Sequence, residues 1–174
     1  MYLIDALRAA PQAVAGTEGC WFLEWPARGG AIYFGLEPRA IPEIWKIAPE
    51  GGEAVLVSRG AGGPVVSSDG RFLYYTRRGA ALGENHLWRT PRGGGPEEKV
   101  LEYVDAYSLG EAGIAFKYFP PGPQHAGPYL EFYRFGTGTT QRLLTPRQPL
   151  RYGIALSPDG RYLLHAQTDY EVSD

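Results

Sequence analysis

The sequence predicts an all-β chain organised as a β-propeller, and three observations predict it. A nine-residue stretch, Ser67-Ser68-Asp69-Gly70-Arg71-Phe72-Leu73-Tyr74-Tyr75, returns as Ser157-Pro158-Asp159-Gly160-Arg161-Tyr162-Leu163-Leu164-His165, 90 positions later. That distance is two periods of about 45 residues, the spacing of a four-stranded propeller blade. A second marker agrees: Glu43-Ile44-Trp45-Lys46-Ile47 before Gly51-Gly52 matches His86-Leu87-Trp88-Arg89-Thr90 before Gly93-Gly94-Gly95, with the two tryptophans 43 apart. The third observation is turn density, with 24 glycines and 15 prolines among 174 residues. Asp-Gly and Gly-Gly pairs supply the positive φ that tight hairpins need.

Each repeat reads as four short strands. The second strand of each is aromatic and β-branched, at 31–34, 71–76, 113–118 and 161–166. The third carries the tryptophan or another aromatic, at 43–47, 86–90 and 129–135, and the fourth follows a glycine-rich turn, at 53–57, 97–102 and 139–144. Such runs, bounded by Gly, Pro and Asp, are strand signals. Three full units follow, at 21–57, 65–102 and 106–144. Residues 2–5 and 12–14, within 1–15, read as the last two strands of an earlier unit. Residues 154–157 and 161–166, within 153–166, read as the first two of a later one. Only 4–15 has any helical character, and Pro11 interrupts it. The whole of 1–174 is thus one propeller region of 16 strands, about four blade equivalents. Either it is part of a larger ring, or the N-terminal pair completes the C-terminal pair and closes a four-bladed one, the minimum for this architecture.

Composition excludes several classes. Hydrophobic residues at 44% and charged residues at 21% are globular values. A net charge of −2 argues against direct nucleic-acid binding by this region. No run of about 20 apolar residues exists to insert into a membrane, and the first residues do not read as a signal peptide. The single Cys20 leaves no internal disulfide. One cysteine fits either a cytoplasmic or a periplasmic setting.

The residues with possible chemistry have structural readings beside them. Asp69-Gly70 and Asp159-Gly160 read as turn formers, the Asp accepting backbone hydrogen bonds. Gly93-Gly94-Gly95-Pro96 lacks the Lys-Ser/Thr of a phosphate loop and reads as a hairpin. His86, His125 and His165 fall in different units without metal-ligand spacing. Asp169, Glu171 and Asp174 lack the Gly and terminal Glu of a calcium loop. Cys20 reads as a small buried residue. Arg77, Arg78, Arg89 and Arg92 cluster in sequence, but strand alternation spreads them over different faces. Trp45 and Trp88 on equivalent strands, and His125 in the Pro/Gly-rich loop 119–128, are the candidates for a ligand or partner surface. No nucleophile elbow, zinc motif or P-loop is present, so neither a catalytic site nor a cofactor is expected.

The Ser-Pro-Asp-Gly-Arg turn before an aromatic strand, then Ile-Trp-Lys and a Gly-Gly turn, resembles the TolB-like, WD-repeat-like propeller family. The segments EIWKIAPEGGEAVLVSRGAGG, SSDGRFLYYTRR, LWRTPRGGGPEEKVLE and IALSPDGRYLLHAQTDYEVSD are similar to the C-terminal propeller of large acidobacterial proteins. In those it follows a winged-helix DNA-binding module or a serine/threonine kinase module. The resemblance covers about residues 20–174 and departs at Arg28 and at Gly110-Glu111, where other units carry the turn Asp. It implies a non-catalytic sensor or interaction module with a protein or small-molecule partner, the sensor part of a transcriptional regulator. The same repeats resemble the accessory propellers of kinases and serine peptidases. In the family a last strand follows the pair equivalent to Ser173-Asp174, which favours a larger ring.

Overall fold

The computed structural model describes residues 1–4, 11–14, 17–36, 41–80, 84–122, 128–157 and 159–168. Among them are 16 strands and no helix. A short pair comes first, β1 (Tyr2–Ile4) and β2 (Pro11–Ala13). The first full sheet is a meander of β3 (Cys20–Glu24), β4 (Ile32–Leu36), β5 (Glu43–Ile47) and β6 (Val55–Arg59). The second has β7 (Ala61–Val66), β8 (Phe72–Arg78), β9 (Asn85–Pro91) and β10 (Glu98–Leu101). The third has β11 (Val104–Leu109), β12 (Gly113–Tyr118), β13 (Tyr129–Arg134) and β14 (Thr139–Leu144). A pair, β15 (Leu150–Leu156) and β16 (Leu163–Gln167), ends the series. Every pairing is antiparallel.

Successive sheets stack face against face. Strand alternation sends neighbouring side chains to opposite faces, so each sheet contributes to two cores. Tyr33 and Ile44 of the first sheet meet Leu73 and Tyr75 of the second. Ile32, Phe34 and Ile47 turn the other way, toward Val14 and Met1. Tyr74 and Leu87 of the second sheet meet Val104, Ile114 and Phe116 of the third. Each such fully buried large apolar side chain contributes about 1.5–3 kcal/mol. The first strands of the sheets lie toward one another, β3 against β7 and β11 against β15. Tyr107 on β11 donates its hydroxyl to the Gly63 carbonyl of β7 at 2.6 Å. This is a propeller arrangement of blades, partial rather than closed. β1–β2 and β15–β16 form two separate sheets, so the four-bladed closure through their pairing is not made among the described residues.

Several strand limits differ from those read in the sequence. The first strand of the second sheet begins at Ala61, not near 65. Ala61-Gly62-Gly63-Pro64 looks like a turn in one dimension, but a bulge between Gly62 and Val65 absorbs it into the ladder. The last strand of the first sheet is Val55–Arg59 rather than 53–57, because Gly60 alone links it to β7. β15 begins at Leu150, where its ladder with Gln167 starts. Of the helical option over 4–15, Ile4 and Pro11–Ala13 lie in the β1–β2 ladder, and residues 5–10 and 15 lie outside the described residues. Asp5 lies outside the described residues.

Candidate functional site

The two Ser-x-Asp-Gly-Arg turns have one geometry. In the first, Ser67 Oγ donates to Asp69 Oδ1 at 2.6 Å, the same oxygen accepts from the Arg71 amide at 3.0 Å, and Gly70 has φ +74°. In the second, Ser157 Oγ donates to Asp159 Oδ1 at 2.6 Å, the Arg161 amide follows at 3.1 Å, and Gly160 has φ +70°. That φ is open to glycine at no steric cost. The serine hydroxyl closes each loop by accepting from the amide of Phe72 or Tyr162. The Asp69 carboxyl is held well below the ordinary carboxylate range, first by Ser67, then by the Arg71 amide and guanidinium. Asp159 shifts the same way through Ser157 and the Arg161 amide. A carboxylate held below its unfolded value stabilises the fold at neutral pH, and that contribution fades as pH falls below about 4. We therefore expect Asp69→Asn to lower the melting temperature at neutral pH, with the gap to the parent narrowing in acid. Melts across a pH series check this, and a gap that does not change with pH would refute it.

Arg28, which stands where the other turns have Asp, reaches instead to the next blade and donates to the Ser68 carbonyl at 3.1 Å. Arg92 ties the same end of the fold, donating to Tyr33 Oη at 3.2 Å and to the Gly29 carbonyl at 3.0 Å.

The two candidate tryptophans face the preceding sheet. Trp45 packs on the Phe34 and Ile47 side of the first sheet and donates to Glu43 Oε2 at 3.1 Å. Trp88 packs between the first and second sheets, with the Arg77 guanidinium 5.6 Å from its ring centre. Its indole N–H is buried without a hydrogen-bond partner among the described residues. Beside it Tyr75 donates to Glu97 Oε1 at 2.7 Å and Arg77 donates to Glu97 Oε2 at 2.7 Å. Burial, then Glu97, pushes the Tyr75 phenol up. Burial alone would raise Glu97, but the bonds from Tyr75 and Arg77 outweigh it and hold the carboxyl low.

His125 lies outside the described residues, as do Asp169, Glu171 and Asp174. His86 accepts the Tyr103 amide on Nδ1 at 3.3 Å and pairs Nε2 with Glu84 at 3.1 Å. It thereby supports Tyr103, at φ +56° the one non-glycine in the left-handed region among the described residues. His165 Nδ1 is buried without a partner among the described residues. No group of three or more His, Cys, Asp or Glu among the described residues could hold a metal ion.

The concave feature with converging chemistry lies between the second and third sheets. It is a groove of about 470 Å³ at the end where the Asp69 turn and the β11–β12 hairpin meet. That volume falls in the range of small-ligand and side-chain pockets. One wall is Phe72 and Tyr74 of β8 with Arg89 of β9. The other is Tyr133, Phe135 and Glu111. Tyr74 and Phe135 rings lie 6.5 Å apart, and Tyr133 and Phe135 6.1 Å apart edge-on. The Arg89 guanidinium lies 4.6 Å from the centre of the Phe72 ring and donates to Glu98 Oε2 at 2.9 and 2.7 Å. Burial would lower the Arg89 pKa, but Tyr74 and Glu98 more than offset it and hold the guanidinium charged. Arg71 is likewise tied to Asp69, at 2.6 Å.

None of these wall residues stood out in the sequence as binding residues. A signal exists for part of the set: once the strands are aligned, Tyr74 falls opposite Arg89, and Arg89 opposite Glu98, across one sheet. The other wall comes from the next sheet and has no local signature.

No protein-family model matches the chain, and no curated protein matches it. Solved structures do. The chain is similar to TolB from Acinetobacter baumannii, at 17% identity and a TM-score of 0.73, over 94% of this chain and 42% of that one. It is similar to a TolB-type structure from Agrobacterium tumefaciens, at 16% identity and a TM-score of 0.69, over 96% of this chain and 66% of that one. It is also similar to an oligogalacturonate lyase solved with manganese, at 14% identity and a TM-score of 0.66, over 94% of this chain and 51% of that one. The chain thus spans less than two thirds of the length of these structures. At such identities the likeness shows the fold, a TolB-like β-propeller, which hosts enzymes and non-enzymes alike.

Proposed function

We propose that this chain is a non-catalytic β-propeller scaffold that binds a protein segment or small ligand, as the sensor or interaction part of a winged-helix transcriptional regulator. The observation that carries the binding role is the groove between the second and third sheets. Its walls belong to two stacked sheets, and Phe72, Tyr74, Tyr133 and Phe135 lie in them. Its guanidiniums and the carboxylates beside them are hydrogen-bonded to one another, which suits holding a ligand's shape better than attacking its bonds. The regulator role rests on the likeness of the Ser-Asp-Gly-Arg and Ile-Trp-Lys segments to regulator propellers. A net charge of −2 fits a module that leaves DNA contact to another domain.

Two measurements test this reading. A thermal-shift screen of metabolites and peptides should find a ligand that raises the melting temperature of the parent but not of Tyr133→Ala. A ligand at about 100 times its Kd adds about 2.7 kcal/mol to stability. The coding sequence flanking the chain's gene should encode a winged helix. A kinase catalytic domain or a peptidase nucleophile elbow in the same polypeptide would replace the regulator reading with an accessory-propeller one. Turnover of peptide, ester or lactone substrates by the purified chain would overturn the non-catalytic reading.

A further inference from the structure

We propose that the groove between the second and third sheets receives an arginine side chain from a basic segment of a partner protein, held by the Glu111 carboxylate and the Tyr133 and Phe135 rings. The inference rests on reading this groove as the binding site, and it names the chemistry of its occupant.

Charge selects a cation. The groove is lined by the acidic groups of Asp69, Glu98 and Glu111 and the basic groups of Arg71, Arg89 and Lys99. Arg71 is paired with Asp69, Arg89 with Glu98, and Lys99 with Glu102 outside the lining. Glu111 remains. It sits at the tip of the β11–β12 hairpin, which is closed by the Gly110 amide on the Gly113 carbonyl at 2.9 Å. Among the described residues it has no hydrogen bond or ion pair, and it is exposed, so the groove presents one carboxylate that no cation is paired with.

The rings select the kind of cation. Among the described residues no cation lies over Tyr133 or Phe135, and Phe135 is 38% exposed, whereas Tyr74 behind them is buried. Their faces are electron-rich and attract a guanidinium. The protein already uses this contact on the same wall, where the guanidiniums of Arg89 and Arg71 lie 4.6 and 5.7 Å from the centre of the Phe72 ring. Arg142 lies over Tyr129 at 3.6 Å. The contact recurs at Arg77, Arg92, Arg134 and Arg161, because a flat guanidinium can stack and at the same time offer a hydrogen-bonding edge to a carboxylate. An arginine inserted between Glu111 and the rings repeats that geometry with an unoccupied carboxylate.

The test is titration of the chain with a tetra-arginine peptide, its tetra-citrulline counterpart, a tetra-glutamate peptide and spermidine, followed by calorimetry and backbone amide shifts. The arginine peptide should bind with an affinity that falls with salt, moving the amides of residues 110–112 and 133–135. The citrulline peptide, isosteric but neutral, should bind about tenfold more weakly. Glu111→Gln should weaken the arginine peptide by about tenfold while leaving the melting temperature near that of the parent, and Phe135→Leu, which keeps an apolar side chain but removes the ring, should weaken it to a similar extent. Glu50→Gln, on a distant turn, should not change it. Equal affinity for citrulline, tighter binding of the glutamate peptide, or indifference to Glu111→Gln overturns the inference. Spermidine binding as tightly as the peptide, with the same dependence on Glu111, overturns the protein-segment source. If the basic peptide fails while another ligand from the screen moves the same amides, this inference falls and the binding-module reading stands. If nothing in either set moves them, both fall.

Discussion

Gly113→Ala is expected to be among the most damaging single substitutions in this chain, costing about 3 kcal/mol. A Cβ at Gly113 would lie 2.0 Å from the Tyr133 carbonyl oxygen and 2.8 Å from the Phe132 ring. The ring can rotate, but the carbonyl belongs to β13, paired with β12 along its length. Accommodation therefore requires the two strands to part at the open end of the β12–β13 hairpin, where Gly113 pairs with Arg134. The backbone at Gly113 is not in the left-handed region, so the requirement is purely one of space. Gly136→Ala provides the contrast: nothing lies within 4 Å of its Cβ position and its φ is not positive. That change should be neutral or stabilise by about 0.5 kcal/mol through the unfolded chain. Urea denaturation of both variants checks the pair. A Gly113→Ala variant within 0.5 kcal/mol of the parent, on the scale of an ordinary surface change, would show that the strands are not so closely held.

Lys117→Ala is the second large effect, expected at about 3 kcal/mol. Lys117 is 6% exposed on β12, and its Nζ lies 2.7 Å from Asp105 Oδ2 of the neighbouring β11. It also donates to the Leu150 carbonyl of β15 at 3.5 Å, so one ammonium joins the third sheet to the pair that follows it. Removing it leaves Asp105 with its charge only 27% exposed. Taking away one partner of a buried pair costs more than replacing both with apolar groups of similar volume. The double variant Asp105→Leu/Lys117→Met should therefore recover much of the loss. The midpoint of denaturation, read at unchanged m-value, distinguishes these cases. Equal stability of Lys117→Ala and the parent would mean that solvent already satisfies Asp105.

The two residues show where sequence reading stops. Lys117 stands in Ala115-Phe116-Lys117-Tyr118, a run that carries no local signal of a buried charge. Its burial follows from β15 packing over that face. Gly113 reads as the first residue of a strand, with no positive φ to require glycine, and the reason for glycine lies across the ladder. The paired aromatics at Trp45 and Trp88 were legible as a repeat, since periodicity alone aligns them. That both turn toward the preceding sheet required knowing which face each strand buries. The Ala61-Gly62-Gly63-Pro64 strand was hidden because a bulged strand and a turn share the same residues.

Sixteen strands, the grouping of twelve of them by fours and the hydrogen-bonded Asp-Gly turns were determined by the sequence itself. They depend on contacts within a few residues: φ freedom at Gly70 and Gly160, a hydroxyl reaching an amide five residues on, and side chains alternating along a strand. The tertiary structure alone decided that the two terminal strand pairs stay separate, and that Tyr74 and Arg89 of one sheet face Tyr133, Phe135 and Glu111 of the next. Those groups are far apart in the chain and carry no shared local signal. What brings them together is the stacking of two sheets that must each bury an apolar face, and the groove forms where that stacking leaves the aromatic edge open to solvent.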